Sequence, residues 1–179
     1  MKLYTKRGDA GETDLFGGER VSKAHPQVLA YGSIDAANAA IGFAAVISMD
    51  LQPELRQIMS DLFDAGAELA SVATRVQENS LLTDQRIEQL EQIIDTVDAQ
   101  LPQLKNFVLP TGSELAARLH LARTAVRRAE QEVILAKESG TQIRPQIIKY
   151  LNRLSDLLFA WSRLANINTQ TEEILWAKP

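Results

Sequence analysis

Prolines at 26, 53, 102 and 145 divide the chain into stretches whose apolar residues recur at steps of three and four. That pattern admits amphipathic helices and little else. The clearest stretch lies within "NFVLPTGSELAARLHLARTAVRRAEQEVILAKESG", where Leu115, Leu119, Ala122, Val126, Ala129 and Val133 fall on one helical face. Thr111 and Glu114 have capping-box spacing at its start, and Gly140 supplies a stop that tolerates left-handed backbone. Pro145 suits the first turn of a fifth helix, with Ile147, Leu151, Leu154, Leu158, Trp161 and Ala165 as its buried stripe. Pro26 precedes a first helix from Gln27 to about Ser48, and Pro53 opens a second that runs to about Ala73. "VQENSLLTD" then leads to Thr83, an N-cap for a third helix that ends at Leu101 because Pro102 disfavours helical geometry before it. The expected fold is all-α, a five-helix bundle with short connections, and there is no internal repeat.

Composition narrows the chemistry. The 179 residues are a one-domain length, and 45% hydrophobic content suffices for a packed core. The absence of cysteine excludes disulfides, thiolate metal sites and cysteine nucleophiles, and two histidines make a multi-histidine metal site a poor expectation. A net charge of −4 argues against a general nucleic-acid binder, so any polyanion must meet a local positive cluster. No apolar run approaches the ~20 residues of a membrane span, and no import leader is recognisable, so the expectation is a cytoplasmic protein without a membrane partner.

Two local clusters qualify. Beside the apolar stripe of the fourth helix stand His120, Arg123, Arg127 and Glu130, each three or four residues from the next, with Arg128 adjacent. The fifth helix carries Asn152 and Asp156 in the same relation to its own stripe. Charge rows of this kind are ordinarily solvated faces; arginine in place of lysine, where neighbouring helices should crowd it, points toward phosphate or carboxylate recognition. The second cluster is the opening segment, in which "TKRGDAGET" sets Lys6, Arg7 and two threonines among glycines that let backbone N–H groups approach phosphate. It contains no P-loop or dinucleotide fingerprint, and a Gly-rich terminus of this kind is by itself more often a flexible tail. The remaining candidates have plain readings: His25 and His120 as surface or supporting groups, Trp161 as core, and Trp176 in a tail with no assigned role.

Taken in order, "YTKRGDAGETDLFGGERVSK", "YGSIDAANAAIG", "NFVLPTGSELAARLHLARTAVRRAEQEV" and "YLNRLSDLLFAWSRLAN" resemble the successive signatures of the PduO-type ATP:cob(I)alamin adenosyltransferases, from residue 4 to about 166. The resemblance implies a homotrimer of five-helix bundles, each with an ordered N-terminal nucleotide-binding segment, and active sites between subunits. The chain would divide into a phosphate-binding segment (1–24), a helical bundle (25–169) and a tail (170–179) within one domain. Thr5, Lys6, Arg7, Gly8, Thr13, Asp14 and Lys23 would surround the ATP phosphates, with Arg127, Arg128, Glu130, Gln131 and Asn152 as further nucleotide contacts. Asp35 and Arg123 would meet across a subunit boundary near the corrin, and Phe107 would lie beneath the corrin ring. Arg123, Arg127, Asp35 and Phe107 are the implied catalytic set. Two departures are visible: Arg7 stands where a small or polar residue is common, and "DAAN" replaces a frequent "DELN".

The implied reaction moves the 5′-deoxyadenosyl group of ATP to the cobalt of cob(I)alamin and releases triphosphate. Mg²⁺ would travel with the ATP phosphates, and the implied partners are a reductase supplying Co(I) and an adenosylcobalamin-dependent acceptor enzyme. The scarcity of nucleophiles and proton shuttles in the sequence fits such chemistry, because Co(I) is itself the nucleophile. Two other classes are compatible with parts of the pattern. One is a nucleotide-sensing or cobalamin-carrying module without efficient catalysis, and the other is a structural bundle whose arginines form interhelical ion pairs.

Overall fold

The computed structural model describes residues 4–72 and 82–177. Its elements are β1 (Glu12–Asp14), β2 (Arg20–Ser22), α1 (Pro26–Ala45), α2 (Gln52–Leu69), α3 (Asp84–Asp98), α4 (Glu114–Glu138) and α5 (Pro145–Asn168). Five helices therefore stand where the apolar stripes place them. α4 lies between α1 and α5, α2 packs on the outer side of α1, and α3 on that of α5. The α1–α4 seam is built from small residues, with Ala30, Ala37 and Ala44 buried on one side and Ala122, Ala129 and Ala136 on the other. Side chains this small let the axes approach closely, which fixes the height at which the polar edge of α4 stands above the core. The α5 stripe from Ile147 to Ala165, Trp161 included, is buried throughout.

Helix ends depart from expectation in three places. α1 stops at Ala45 rather than Ser48, and α3 at Asp98 rather than Leu101, each running into a short turn. The start of α4 is capped by Ser113, whose hydroxyl accepts from the Ala116 N–H at 3.3 Å, not by Thr111. The reason lies in α5, because the Asn166 carboxamide accepts from the Ser113 N–H at 2.8 Å and sets that residue at the helix entrance. Thr83 caps α3 as expected, and Gly140 ends α4 at φ 102°. The expected end of the second helix near Ala73 lies outside the described residues.

A buried polar knot ties α2, α3 and α5 together. The Asp61 carboxylate accepts from Tyr150 Oη and from Arg86 Nε, both at 2.7 Å, and Gln57 donates to its other oxygen at 3.0 Å. Arg86 also donates to Glu54 at 2.6 Å. Burial, and then the charge of Asp61, push the Tyr150 hydroxyl well above the usual phenol range. With every member partnered, the knot fixes register between helices instead of leaving buried groups unpaired.

The opening segment folds as a two-stranded antiparallel hairpin that helical periodicity does not announce, with Glu12 opposite Ser22 and Asp14 opposite Arg20. It docks at the end of α2: Phe16 donates its N–H to the Ala70 carbonyl at 2.7 Å, the Val72 N–H returns to Phe16 at 3.0 Å, and Leu15 is buried. α1 also corrects an expectation, since its 20 residues contain a window with a mean hydropathy of 1.2 and are by length and composition long and apolar enough to cross a membrane. In the fold, its inward stripe is the core contact with α2 and α4.

Candidate active site

The polar row of α4 rises directly from the buried stripe. His120, Arg123, Arg127 and Glu130 advance along one side of the helix, and at 1.5 Å per residue Arg123 and Glu130 lie about 10 Å apart along the axis. At the Arg123 end a cavity of about 640 Å³ is lined by Leu104, Phe107, Val108, Arg123, Phe159 and Trp176, among others. Phe107 presents its ring to this space with 79% of its surface exposed. Trp176 meets it edge-on, the ring centroids 6.3 Å apart. The loop that carries Phe107 and the segment after α5 are stitched together: Trp176 N–H donates to the Phe107 carbonyl at 2.7 Å, and Leu109 N–H to the Ile174 carbonyl at 2.9 Å. Behind them Arg163, nearly fully buried, holds Glu173 at 3.0 Å. Trp176 thus belongs to a site from which sequence reasoning left it out; an aromatic residue in a tail beyond the last helix carries no periodic signal.

Arg123 and Arg127 have no carboxylate partner among the described residues. Burial, and then the charge of Arg127, lower the pKa of Arg123, and its Nε is buried without a hydrogen-bond acceptor. Two adjacent cations without counter-ions constitute a standing demand for an anion. His120 is not a surface residue. It is 3% exposed, neither ring nitrogen has a partner, and its pKa falls to about 4 through burial first and the Arg123 charge second. The imidazole is therefore neutral near pH 7, and it lies against Phe159 on the wall of the Phe107 cavity.

At the other end of the row the structure brings Glu130 and Asn152 together, Asn152 Nδ2 donating to Glu130 Oε1 at 3.1 Å. Arg128 pairs along its own helix with Glu132, and Gln131 is exposed beside them. The hairpin collects the remaining nucleotide candidates. Thr5, Lys6 and Arg7 are exposed, Lys6 takes the left-handed φ of 61°, and two turns follow, Asp9 N–H donating to the Lys6 carbonyl at 3.4 Å and Gly11 N–H to the Gly8 carbonyl at 3.2 Å. Gly8 lies close to Lys23: a Cβ there would stand 3.0 Å from Lys23 Nζ and would shift the end of that lysine. Asp14 is already engaged by Arg7 at 3.0 Å and Arg20 at 3.1 Å, so it organises the hairpin's own cations. Thr13 stands opposite Val21 in the strand pair. No hydrogen bond or ion pair links this segment to Arg127, Arg128, Glu130 or Asn152 among the described residues. Asp35 lines a separate hollow of about 320 Å³ with Tyr31, Asn38 and Phe63, and has no ion-pair partner among the described residues. Within one chain it does not meet Arg123.

A sequence profile described as cobalamin adenosyltransferase matches residues 3–165. The corrinoid adenosyltransferase of Bacillus subtilis strain 168 is 45% identical over 172 residues, covering 93% of this chain and 87% of that protein. The corrinoid adenosyltransferase of Mycobacterium tuberculosis strain H37Rv is 44% identical over 186 residues, covering 98% and 92%. A solved structure of a phenylalanine-to-alanine variant of the PduO-type ATP:corrinoid adenosyltransferase from Lactobacillus reuteri, complexed with cobalamin and ATP, matches with a TM-score of 0.92 at 35% identity, covering 99% of this chain and 100% of that one. The chain belongs to the cobalamin adenosyltransferase family, and its activity is the transfer of the adenosyl group of ATP to a corrinoid.

Proposed function

We propose that the transfer runs in a homotrimer, at sites each completed by two neighbouring subunits, with cob(I)alamin and MgATP as substrates. The observation that carries this is the α4 row itself, which joins an apolar cavity at Arg123 to a polar pair at Glu130 across about 10 Å of one helix. Cobalt above Phe107 and the ribose of ATP near Arg127 would stand within reach of each other on that ruler. That neither Asp35 nor Arg123 has an ion-pair partner among the described residues supports the reading that each finds the other across a subunit boundary. Likewise the hairpin, with no hydrogen bond or ion pair to Arg127 among the described residues, would supply Thr5, Lys6, Arg7, Gly8, Thr13 and Lys23 to the phosphates beside a neighbour's α4, with Asp14 holding their frame.

The Co(I) electron pair attacks C5′ of ATP, the C5′–O bond breaks, and triphosphate departs with that bond's electrons. No proton moves, so no side chain has to act as base. The protein's work is to hold the atoms in line and to stabilise the leaving charge, through Lys6, Arg127 and Arg128. Phe107 keeps the lower cobalt face apolar and free of a water or nitrogen ligand, which eases reduction of Co(II). Among the described residues no group of three His, Cys, Asp or Glu side chains could hold a metal, which favours Mg²⁺ entering on the ATP phosphates. The whole chain would act as one domain in the cytoplasm, supplied by a Co(II) reductase and passing its product to an adenosylcobalamin-dependent enzyme.

The test is to follow cob(I)alamin spectrally with MgATP under reducing conditions. Conversion at a steady rate over many turnovers is the expected outcome; binding without turnover would instead identify a carrier. Arg123→Ala is expected to weaken corrin binding and turnover far more than ATP binding. If the Asp35 pair is desolvated, removing one member costs roughly 3–5 kcal/mol. A monomer by sedimentation would sink the shared-site arrangement.

A further inference from the structure

We infer that Arg153 is a positioning residue for the nucleotide half of the site, acting through Asn152; the inference rests on the reading that Asn152 and Glu130 meet ATP. Arg153 Nη1 donates to Asn152 Oδ1 at 2.8 Å, while its Nε donates to Glu91 Oε1 on α3 at 2.7 Å. Asn152 Nδ2 in turn reaches Glu130 on α4 at 3.1 Å. A single chain of side chains therefore runs from α3 through α5 to α4. Consecutive residues of a helix do not face each other, so the Arg153–Asn152 contact is no by-product of sequence neighbourhood. The arginine has to fold back, and Glu91 anchors it in that posture.

The consequence follows from donor and acceptor capacity. A carboxamide has two N–H donors and two acceptor lone pairs, and here one of each is taken. With a cation on Oδ1 and a carboxylate on Nδ2, the group cannot turn over. Its remaining N–H is then held beside the Glu130 oxygen that Asn152 leaves open, a fixed donor–acceptor pair for a nucleotide to meet. Arg153 also sets a positive charge near Glu130, easing the approach of a polyanion. Without Arg153, Asn152 gains rotamers and the site gains net negative charge; both weaken ATP and neither touches the corrin cavity.

The test is a double-mutant cycle on MgATP affinity, read by titration calorimetry, together with steady-state constants for both substrates. Arg153→Ala is expected to raise the MgATP Kd roughly tenfold, a moderate effect because Arg153 and Glu91 are both about two-fifths solvent-exposed. The cob(I)alamin KM and kcat should stay within about twofold of wild type, a split that loss of folding would not produce. In an Asn152→Ala background the same change should add less than about twofold. Arg153→Lys keeps the charge and the helix but has one nitrogen where a fork is needed, so it should regain only the charge's share, about twofold, and still bind MgATP several-fold more weakly than wild type. Wild-type affinity in Arg153→Lys, or an undiminished Arg153→Ala effect in the Asn152→Ala background, overturns the inference. Unchanged MgATP affinity in Asn152→Ala alone would overturn the site reading itself, and the inference with it.

Discussion

The face of α4 and the N-terminal hairpin carry comparable numbers of candidate site residues, yet they are built by opposite means. On α4 Arg123, Arg127, Arg128 and Glu130 each stand next to a fully buried alanine or valine, so their positions are set by core packing. In the hairpin only Leu15 reaches the core, and the cationic residues are held by surface ion pairs and a few backbone hydrogen bonds. A site built on packed helix presets geometry; one built on exposed polar contacts can adapt to its ligand. The division suits a reaction in which the cobalt–carbon line must be exact to a fraction of an ångström while a flexible triphosphate is gathered in.

The comparison breaks most visibly if the hairpin is removed. Deleting residues 1 to 20 should leave helical content nearly unchanged, because the five helices share a core to which the hairpin adds little beyond Leu15. MgATP binding should vanish in calorimetry while corrin binding survives. Unaltered ATP affinity in the truncated protein would show that α4 alone gathers the phosphates.

Phe107 sharpens the other side. On sequence grounds a phenylalanine in "NFVLP" is first a candidate for core filling, whose loss to alanine costs about 3–5 kcal/mol. Its exposure of 79% removes that role, and the edge contact with Trp176 contributes only about 0.5–1.5 kcal/mol. Phe107→Ala should therefore melt close to wild type. Turnover from Co(II) with a weak reductant should fall roughly a hundredfold, about 2.7 kcal/mol of barrier, while chemically pre-reduced Co(I) still reacts. Equal losses in both assays would detach Phe107 from the cobalt ligand.

What could be read from the sequence follows the same divide. Repetition at helical spacing announces the five helices and the α4 row, because each lies on one regular element; that Asn152 meets Glu130 depends on how α5 packs on α4, which the family resemblance implies and spacing does not. The hairpin lacks any such period: β1 and β2 are three residues each, and their pairing depends on Arg20 reaching Glu12 and Asp14 across the turn. Ser113 displaces Thr111 as a cap through a contact 53 residues away, beyond any local rule. Trp176 enters the cavity through backbone pairing with the Phe107 loop, which spacing cannot encode. His120 was ambiguous for a different reason. It shares its edge with the arginines, and only the packing of Phe159 decides that it is buried.

That burial has a measurable cost in acid. The imidazole's pKa is about 6.5 unfolded and about 4 folded, so between those values the unfolded chain binds the proton more readily. Stability is full above pH 6.5 and declines as pH falls toward 4. Between pH 7 and 5 the contribution of this one group should be on the order of 2 kcal/mol, from 1.36 kcal/mol per unit. Urea melts of wild type and His120→Leu across that range should diverge by this amount, with the variant the flatter of the two. Parallel pH profiles would mean that His120 finds a partner or water when protonated, and that the α4 face is less tightly packed than the comparison holds.

The smallest effect is expected at Arg7, an exposed cation of the hairpin. Its guanidinium lies 3.0 Å from Asp14, with side chains 69% and 36% exposed, and Asp14 keeps Arg20 if Arg7 is lost. An exposed pair of this kind contributes under about 1 kcal/mol, so Arg7→Ala should leave the hairpin and the melting temperature in place. If Arg7 also meets phosphate, it does so from solvent, where salt screens it over about 10 Å at 0.1 M. The MgATP Kd should then rise only about two- to threefold at low salt. At 0.5 M salt the difference from wild type should disappear, because exposed charges no longer sense one another at that strength. A tenfold loss that persists in high salt would instead place Arg7 in a desolvated contact. The hairpin would then preset its ligand geometry as firmly as α4 does, and the contrast between the two regions would fail at its most exposed residue.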